Sequence, residues 1–287
     1  MTMRFQIRQP ARWSGKRVSI PDRFEPSAVS NNFHPMEKET LRIRNGISGF
    51  TILALMFGLA IVPGCAAAQV PTRPALVNPC SGPTDAQTTQ PKARPDFRPE
   101  RQEEVKRRLL SESFGAITLG DSLMEGWGPR ILQPAFNLPT LNSGFGMDGT
   151  EQVLWRIQSM DWSHQKPRFV LLLVGTDDLR FPTCSVVQGV LAVVHAVHGV
   201  LPGAKIIVTS ILPRGENMLE HDAEIVQINK DLAAAQSEQR FRFFDVHDAF
   251  LCDHKTPCAL FQPGNLHLTP AGYQLLTDSL RQFLQQN

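Results

Sequence analysis

The chain has 287 residues, 42% hydrophobic and 20% charged, which suffices to bury one full core and leaves length over for extensions. Its formal charge is +2, but residues 1–68 hold 9 of its 29 Lys and Arg and only 4 of its 27 Asp and Glu, so the remainder is mildly acidic, at −3. With no basic stripe and 8% aromatic residues, the composition excludes a nucleic-acid binder.

Residues 1–35 are polar and basic, without hydrophobic periodicity, and read as a disordered extension. Residues 36–68 have the form of a secretory signal peptide. Lys38, Arg42 and Arg44 precede a mostly apolar run over 47–62, and Ala66-Ala67-Ala68 supplies small residues for cleavage. Two other readings stay open: a membrane anchor, for which the run is short and broken by Ser48, Gly49 and Thr51, and lipidation at Cys65, where Val-Pro-Gly-Cys loosely resembles a lipobox. Cleavage after Ala68 is favoured, giving a periplasmic or secreted protein with no stable membrane span. A leader that starts at residue 36 makes Met36 the expected initiator.

Residues 69–99 are rich in Pro, Thr, Ala and Gln and are expected to form a flexible arm. Four cysteines lie beyond the leader, and an even number in an exported chain suggests disulfides. Cys252 and Cys258 close a short loop and are the expected pair, which leaves Cys80 and Cys184 to tether the arm; free thiols are the alternative. No metal site is expected, because His254 is poorly spaced between the one close cysteine pair, and His195 and His198, at i and i+3, have no acid or cysteine beside them.

Residues 100–287 read as one domain. Residues 100–113 are helix formers, acidic early and basic late, as the helix dipole favours. Strands are predicted over 116–119, 140–142, 169–174, 205–211 and 242–245, and helices over 149–160, 185–201, 218–239 and 269–284. The alternation, with continuous apolar runs such as FVLLLV and KIIVTSI, indicates a parallel sheet covered on both faces, a three-layer α/β/α domain. Ligands in such domains sit at the carboxyl ends of the strands, which here read GDS, NSGFGMDG, GTDD, ILPRGEN and DVHDAF. The phosphate-loop pattern GxxxxGK[ST] does not occur, so a nucleotide reading lacks support from it.

Ser122 stands where the first strand gives way to a turn, within Gly120-Asp121-Ser122, and is a candidate nucleophile. His267, just ahead of the C-terminal helix, is the candidate general base; capping that helix is its plainer role. Together with Asn142-Ser143-Gly144, Gly175-Thr176-Asp177-Asp178, Leu212-Pro213-Arg214-Gly215-Glu216 and Leu266-His267-Leu268-Thr269, these residues resemble, in order, the blocks of the SGNH (GDSL) hydrolase superfamily. The likeness spans residues 97–284 and is greatest to the branch that includes the catalytic subunits of platelet-activating-factor acetylhydrolase. It implies a flavodoxin-like parallel sheet and ester hydrolysis with no metal or organic cofactor. Ser122 falls on the nucleophile, His267 on the base, and the Ser122 N–H on the oxyanion hole.

Three positions depart from the family pattern. Asp177 stands where the family has an asparagine that donates to the oxyanion, Met147 where it has a glycine whose N–H donates, and Gly264 where it has the acid that orients the histidine. An ionised carboxylate at Asp177 is acceptor-only, and loss of the acid costs up to about 10⁴ in rate in a Ser-His-Asp system. A protonated Asp177 can donate instead, with Asp178 and Asp148 helping to hold its proton, and the substitute acids in view are Asp253 and Asp248.

The expected function is hydrolysis of an O-acyl, for example acetyl, ester of an extracytoplasmic polysaccharide. The alternative is a catalytically impaired relative that binds a glycan or a partner protein in an envelope or polysaccharide-secretion assembly. Arg180, Arg214 and Glu216 are expected to fix strand-end loops, and Trp127, Trp155 and Trp162 to pack in the core or along a groove.

Overall fold

Five short runs, three of them free of charge, form the sheet: β1 Ala116–Gly120, β2 Thr140–Gly144, β3 Phe169–Leu173, β4 Lys205–Thr209 and β5 Arg242–Phe244. All neighbours are parallel and the order is β2-β1-β3-β4-β5. That is the flavodoxin-like order, in which the chain reverses direction across the sheet between β1 and β3. The computed structural model describes residues 80, 82–255 and 258–286. The expected extension, the leader with Cys65 and the start of the arm lie outside the described residues.

The helices are α1 Pro99–Ser111, α2 Ser122–Glu125, α3 Pro129–Phe136, α4 Thr150–Ser159, α5 Thr183–Val200, α6 Asp222–Ala235 and α7 Pro270–Gln285. Side chains alternate across the sheet, so Ile117, Leu119, Val170 and Leu172 join one apolar cluster with α1, α4, α5 and α6. Leu171, Leu173 and Ile207 join the other, with α2, α3 and α7. The three layers follow from burial on both faces. Helix α5 is apolar and long enough to cross a membrane by length and composition, but it is largely buried as a core helix.

The expected boundaries hold to within a few residues except at two places. Helix α3 was not among the expected elements; Pro129 suits its first turn, whereas Pro134 inside it is a residue that ordinarily breaks helices. The second exception is the arm, which is seated on the domain from Cys80 onward. Thr88 is fully buried in a short 3₁₀ turn, Ala86–Thr89, and donates to the Ser185 carbonyl at 2.7 Å, while Thr150 Oγ1 donates to the Thr88 carbonyl at 2.9 Å. Hydroxyls and backbone, more than apolar side chains, hold this segment, which is why its composition read as a flexible arm. Disulfides join Cys80 to Cys184 and Cys252 to Cys258.

Candidate active site

The carboxyl edge of the sheet is assembled by close backbone approach. A Cβ at Gly120 would overlap the Leu173 carbonyl, so only glycine lets β1 end against β3 and turn sharply into α2. Asp121 caps α2, its buried Oδ1 accepting from the Leu123 N–H at 2.8 Å. Ser122 is therefore the first residue of α2. Its N–H donates to no described residue, and neither does that of Met147.

His267 reaches this serine from the far end of the chain: its Nε2 lies 3.0 Å from Ser122 Oγ. The structure thus brings together the two residues singled out as nucleophile and base. No described carboxylate bonds to the imidazole. Gly264 has no side chain, Asp253 is exposed in the Cys252–His254 turn, and Asp248 pairs with Nδ1 of its neighbour His247 at 3.1 Å. Asp248 is thus placed beside His247, with no bond to His267.

Backbone contacts do the holding instead. Phe261 and Leu268 form an antiparallel bridge, the Gln262 N–H donates to the His267 carbonyl at 2.7 Å, and Gln262 Nε2 donates to the Leu268 carbonyl at 2.8 Å. Thr269 caps α7 and also donates through Oγ1 to the Ala259 carbonyl. Helix α7 is tied to the nucleophile helix by Tyr273, whose hydroxyl donates to the Leu123 carbonyl at 2.9 Å, and to the segment after it by Trp127 Nε1, which donates to Thr277 Oγ1 at 3.0 Å.

Met147 and Asp177 complete the edge. Met147 follows β2 in the left-handed region at φ +59°, where glycine is ordinarily favoured. Its loop is fastened by Glu125, whose Oε2 accepts from the Gly146 N–H at 2.6 Å, and Gly146 lies against Ser122. Asp177, in the turn after β3, has its carboxyl pushed up by burial; the cationic Arg214 and Arg180, then His267, oppose the rise without cancelling it. One of its oxygens is buried without a partner among the described residues.

Neighbouring carboxyls behave alike. Burial, reinforced by Asp177, raises Asp121 well above the usual range. Asp178 is pushed up to about 6 by burial even though its Oδ2 accepts from the Thr150 N–H at 2.8 Å. Asp148 is raised by burial in spite of its ion pair with buried Arg156. An edge this rich in reluctant carboxylates favours protonated side chains close to the nucleophile.

The remaining residues take structural roles. Arg180 donates to the Asp177 carbonyl and pairs with Glu151, Arg214 bonds Thr176 and pairs with Glu220, and Glu216 starts the short turn between β4 and α6. Trp127 and Trp162 are buried, and Trp155 lies beside the Arg156 guanidinium. His198 contacts the Gln239 carbonyl at 3.3 Å. Among the described residues no group of three His, Cys, Asp or Glu side chains is placed to hold a metal ion. A cavity of about 700 Å³ lies between α3 and α7 beside Arg168, at the amino end of the sheet and away from the chemistry.

A doubly wound parallel sheet with a serine and a histidine in hydrogen-bond contact at its carboxyl edge is the scaffold of a serine hydrolase. The chain belongs to the GDSL-like lipase/acylhydrolase family, whose model matches residues 118–275. It is 29% identical over 214 residues to platelet-activating factor acetylhydrolase IB subunit alpha1 of Homo sapiens, covering 72% of this chain and 90% of the relative. Among solved structures it resembles a member of the lipolytic G-D-S-L family from Veillonella parvula (TM-score 0.52, 16% identity, 60% of this chain and 98% of the other). It also resembles the acetyl xylan esterase AlAXEase (TM-score 0.50, 14% identity, 59% and 99%).

Proposed function

We propose that this protein is an exported ester hydrolase that removes small O-acyl groups, acetyl foremost, from an extracytoplasmic polysaccharide. The observation that carries the chemistry is the 3.0 Å contact between His267 Nε2 and Ser122 Oγ. His267 takes the hydroxyl proton as Oγ attacks the acyl carbon, and returns it to the leaving alcohol; water then attacks the acyl-enzyme in the same way. The N–H groups of Ser122 and Met147 receive the oxyanion, and Asp177 donates to it when protonated. The acetyl preference is supported by the kinship with an acetylhydrolase, and export by the leader-like sequence over 36–68.

A second reading rests on the absence of any described carboxylate bonded to His267 and on Asp177 in the place of a donor. In that reading the site binds a glycan, or a partner protein of an envelope or polysaccharide-secretion assembly, without turning it over.

A serine-directed fluorophosphonate probe separates the two. The hydrolase labels at Ser122, and Ser122→Ala abolishes labelling; folded protein that takes up no label at any pH supports the binding module. The pH profile then tests Asp177. Because its carboxyl must be protonated to donate, the rate on p-nitrophenyl acetate is expected to fall as pH rises through its elevated pKa. Asp177→Asn supplies a permanent donor, so it should lose the alkaline fall and gain about 10²-fold at neutral pH. An unchanged profile removes Asp177 from the mechanism.

A further inference from the structure

The loop that carries the Met147 N–H is held from outside by a segment that the catalytic motifs do not include. Arg94 Nη1 donates to the Met147 carbonyl at 2.7 Å and lies 3.4 Å from Asp148 Oδ1. Its guanidinium is set by the ring of Phe97, 3.9 Å away, and by the turn in which the Phe97 N–H donates to the Arg94 carbonyl. Upstream, the Lys92 N–H donates to the Glu151 carbonyl at 2.9 Å, the Asp85 N–H to Ser185 Oγ at 2.5 Å, and Cys80 is joined to Cys184. Every one of these anchors falls on α4, on α5 or on the loop leading into α4.

Met147 needs such a hold. A residue with a Cβ in the left-handed region is strained, and the exposed Met147 side chain makes little packing to fix the peptide. The peptide plane decides where the N–H points, and an oxyanion donor works only when its hydrogen is already aimed at the developing charge. Arg94 holds the Met147–Asp148 peptide and Glu125 the Phe145–Gly146 peptide, so the Gly146–Met147 peptide that carries the N–H is set between two fixed neighbours.

We infer that the arm, residues 80–98, is a working part of the active site, with Arg94 a positioning residue that aims the Met147 N–H and the Cys80–Cys184 disulfide keeping Arg94 in place. The inference rests on the proposed esterase chemistry for its effect on rate, but not for its effect on the loop.

Both effects are measurable in the full chain with its disulfides formed. Arg94→Ala should lower kcat on p-nitrophenyl acetate roughly tenfold or more, short of the 10²–10³ for outright loss of a donor, with KM changed less than threefold. Arg94→Lys, which keeps a cation within reach of the carbonyl, should recover most of kcat. Cys80→Ser combined with Cys184→Ser should lower kcat in the same way, and adding Arg94→Ala to that pair should cost little more.

Hydrogen–deuterium exchange supplies a readout that needs no turnover. Peptides spanning residues 144–149 should exchange roughly tenfold faster in Arg94→Ala, while β1 and β3 stay protected. Unchanged exchange there, a kcat within twofold of wild type, or a loss that Arg94→Lys does not restore overturns the inference. Wild type that neither hydrolyses nor labels, with the exchange response intact, defeats the proposed function and leaves the hold of the arm on the loop standing.

Discussion

Ser122 and His267 were legible in the sequence because each sits in a short local motif whose backbone geometry travels with it: a strand-to-turn junction and a helix entrance. What holds the His267 backbone was not legible, because it consists of bonds to main-chain carbonyls from the Gln262 N–H and side-chain amide and a single bridge between Phe261 and Leu268, which form no recognisable local motif. At Met147 backbone and side chain disagree. At φ +59° with an exposed side chain, it is expected to accept glycine. Met147→Gly relieves left-handed strain but gives the unfolded chain more freedom, so stability should change by no more than about 1 kcal/mol with the rate kept or raised. Met147→Val, β-branched and poorly suited to positive φ, should lower both melting temperature and kcat. A valine variant as stable and active as wild type would contradict the strained geometry.

Among the elements, α4 links the site to stability. Its first N–H groups face the carboxylate of Asp178, and a helix N-terminus favours negative charge there, yet burial outweighs this and raises the pKa to about 6. The folded state therefore binds this proton more tightly than the unfolded chain, whose carboxyl titrates near 4. Stability from this group is complete below pH ~4, is lost as pH rises to about 6 and beyond, and amounts to about 3 kcal/mol. Asp121, Asp148 and Asp177 shift the same way, so the wild type should be more resistant to urea at pH 4.5 than at 7.5. Asp178→Asn keeps an acceptor for the Thr150 N–H and should shrink that difference; an unaltered difference would mean that Asp178 is ionised without penalty. Elements whose apolar period was long, such as α5 and β3, were evident in the sequence. Helix α3 was not, because Pro134 argues against a helix that only its packing against α7 and the sheet makes favourable.

For the molecule as a whole, the two disulfides are of different kinds. Cys80–Cys184 spans 104 residues and Cys252–Cys258 spans 6, so on chain entropy alone breaking the longer link should cost roughly 2.5 kcal/mol more. Paired serine substitutions at each site, compared by urea unfolding, check this; equal costs would indicate that the arm stays folded on the domain without its tether. The layered architecture was readable from alternation alone, whereas the docking of the arm was not, since Thr88 and Asp85 are ordinary loop residues until a partner surface is known. Gly264 bears on the protein as an object of repair. A Cβ placed there meets nothing within 4 Å, so an aspartate has room, but the backbone stands at φ +93°, which L-residues rarely adopt. Reinstalling an acid is thus not one codon away: single-site libraries around His267 should fail where a graft replacing the whole turn over 262–267 succeeds, and the present chain is committed to working, or binding, with a histidine held by its main chain.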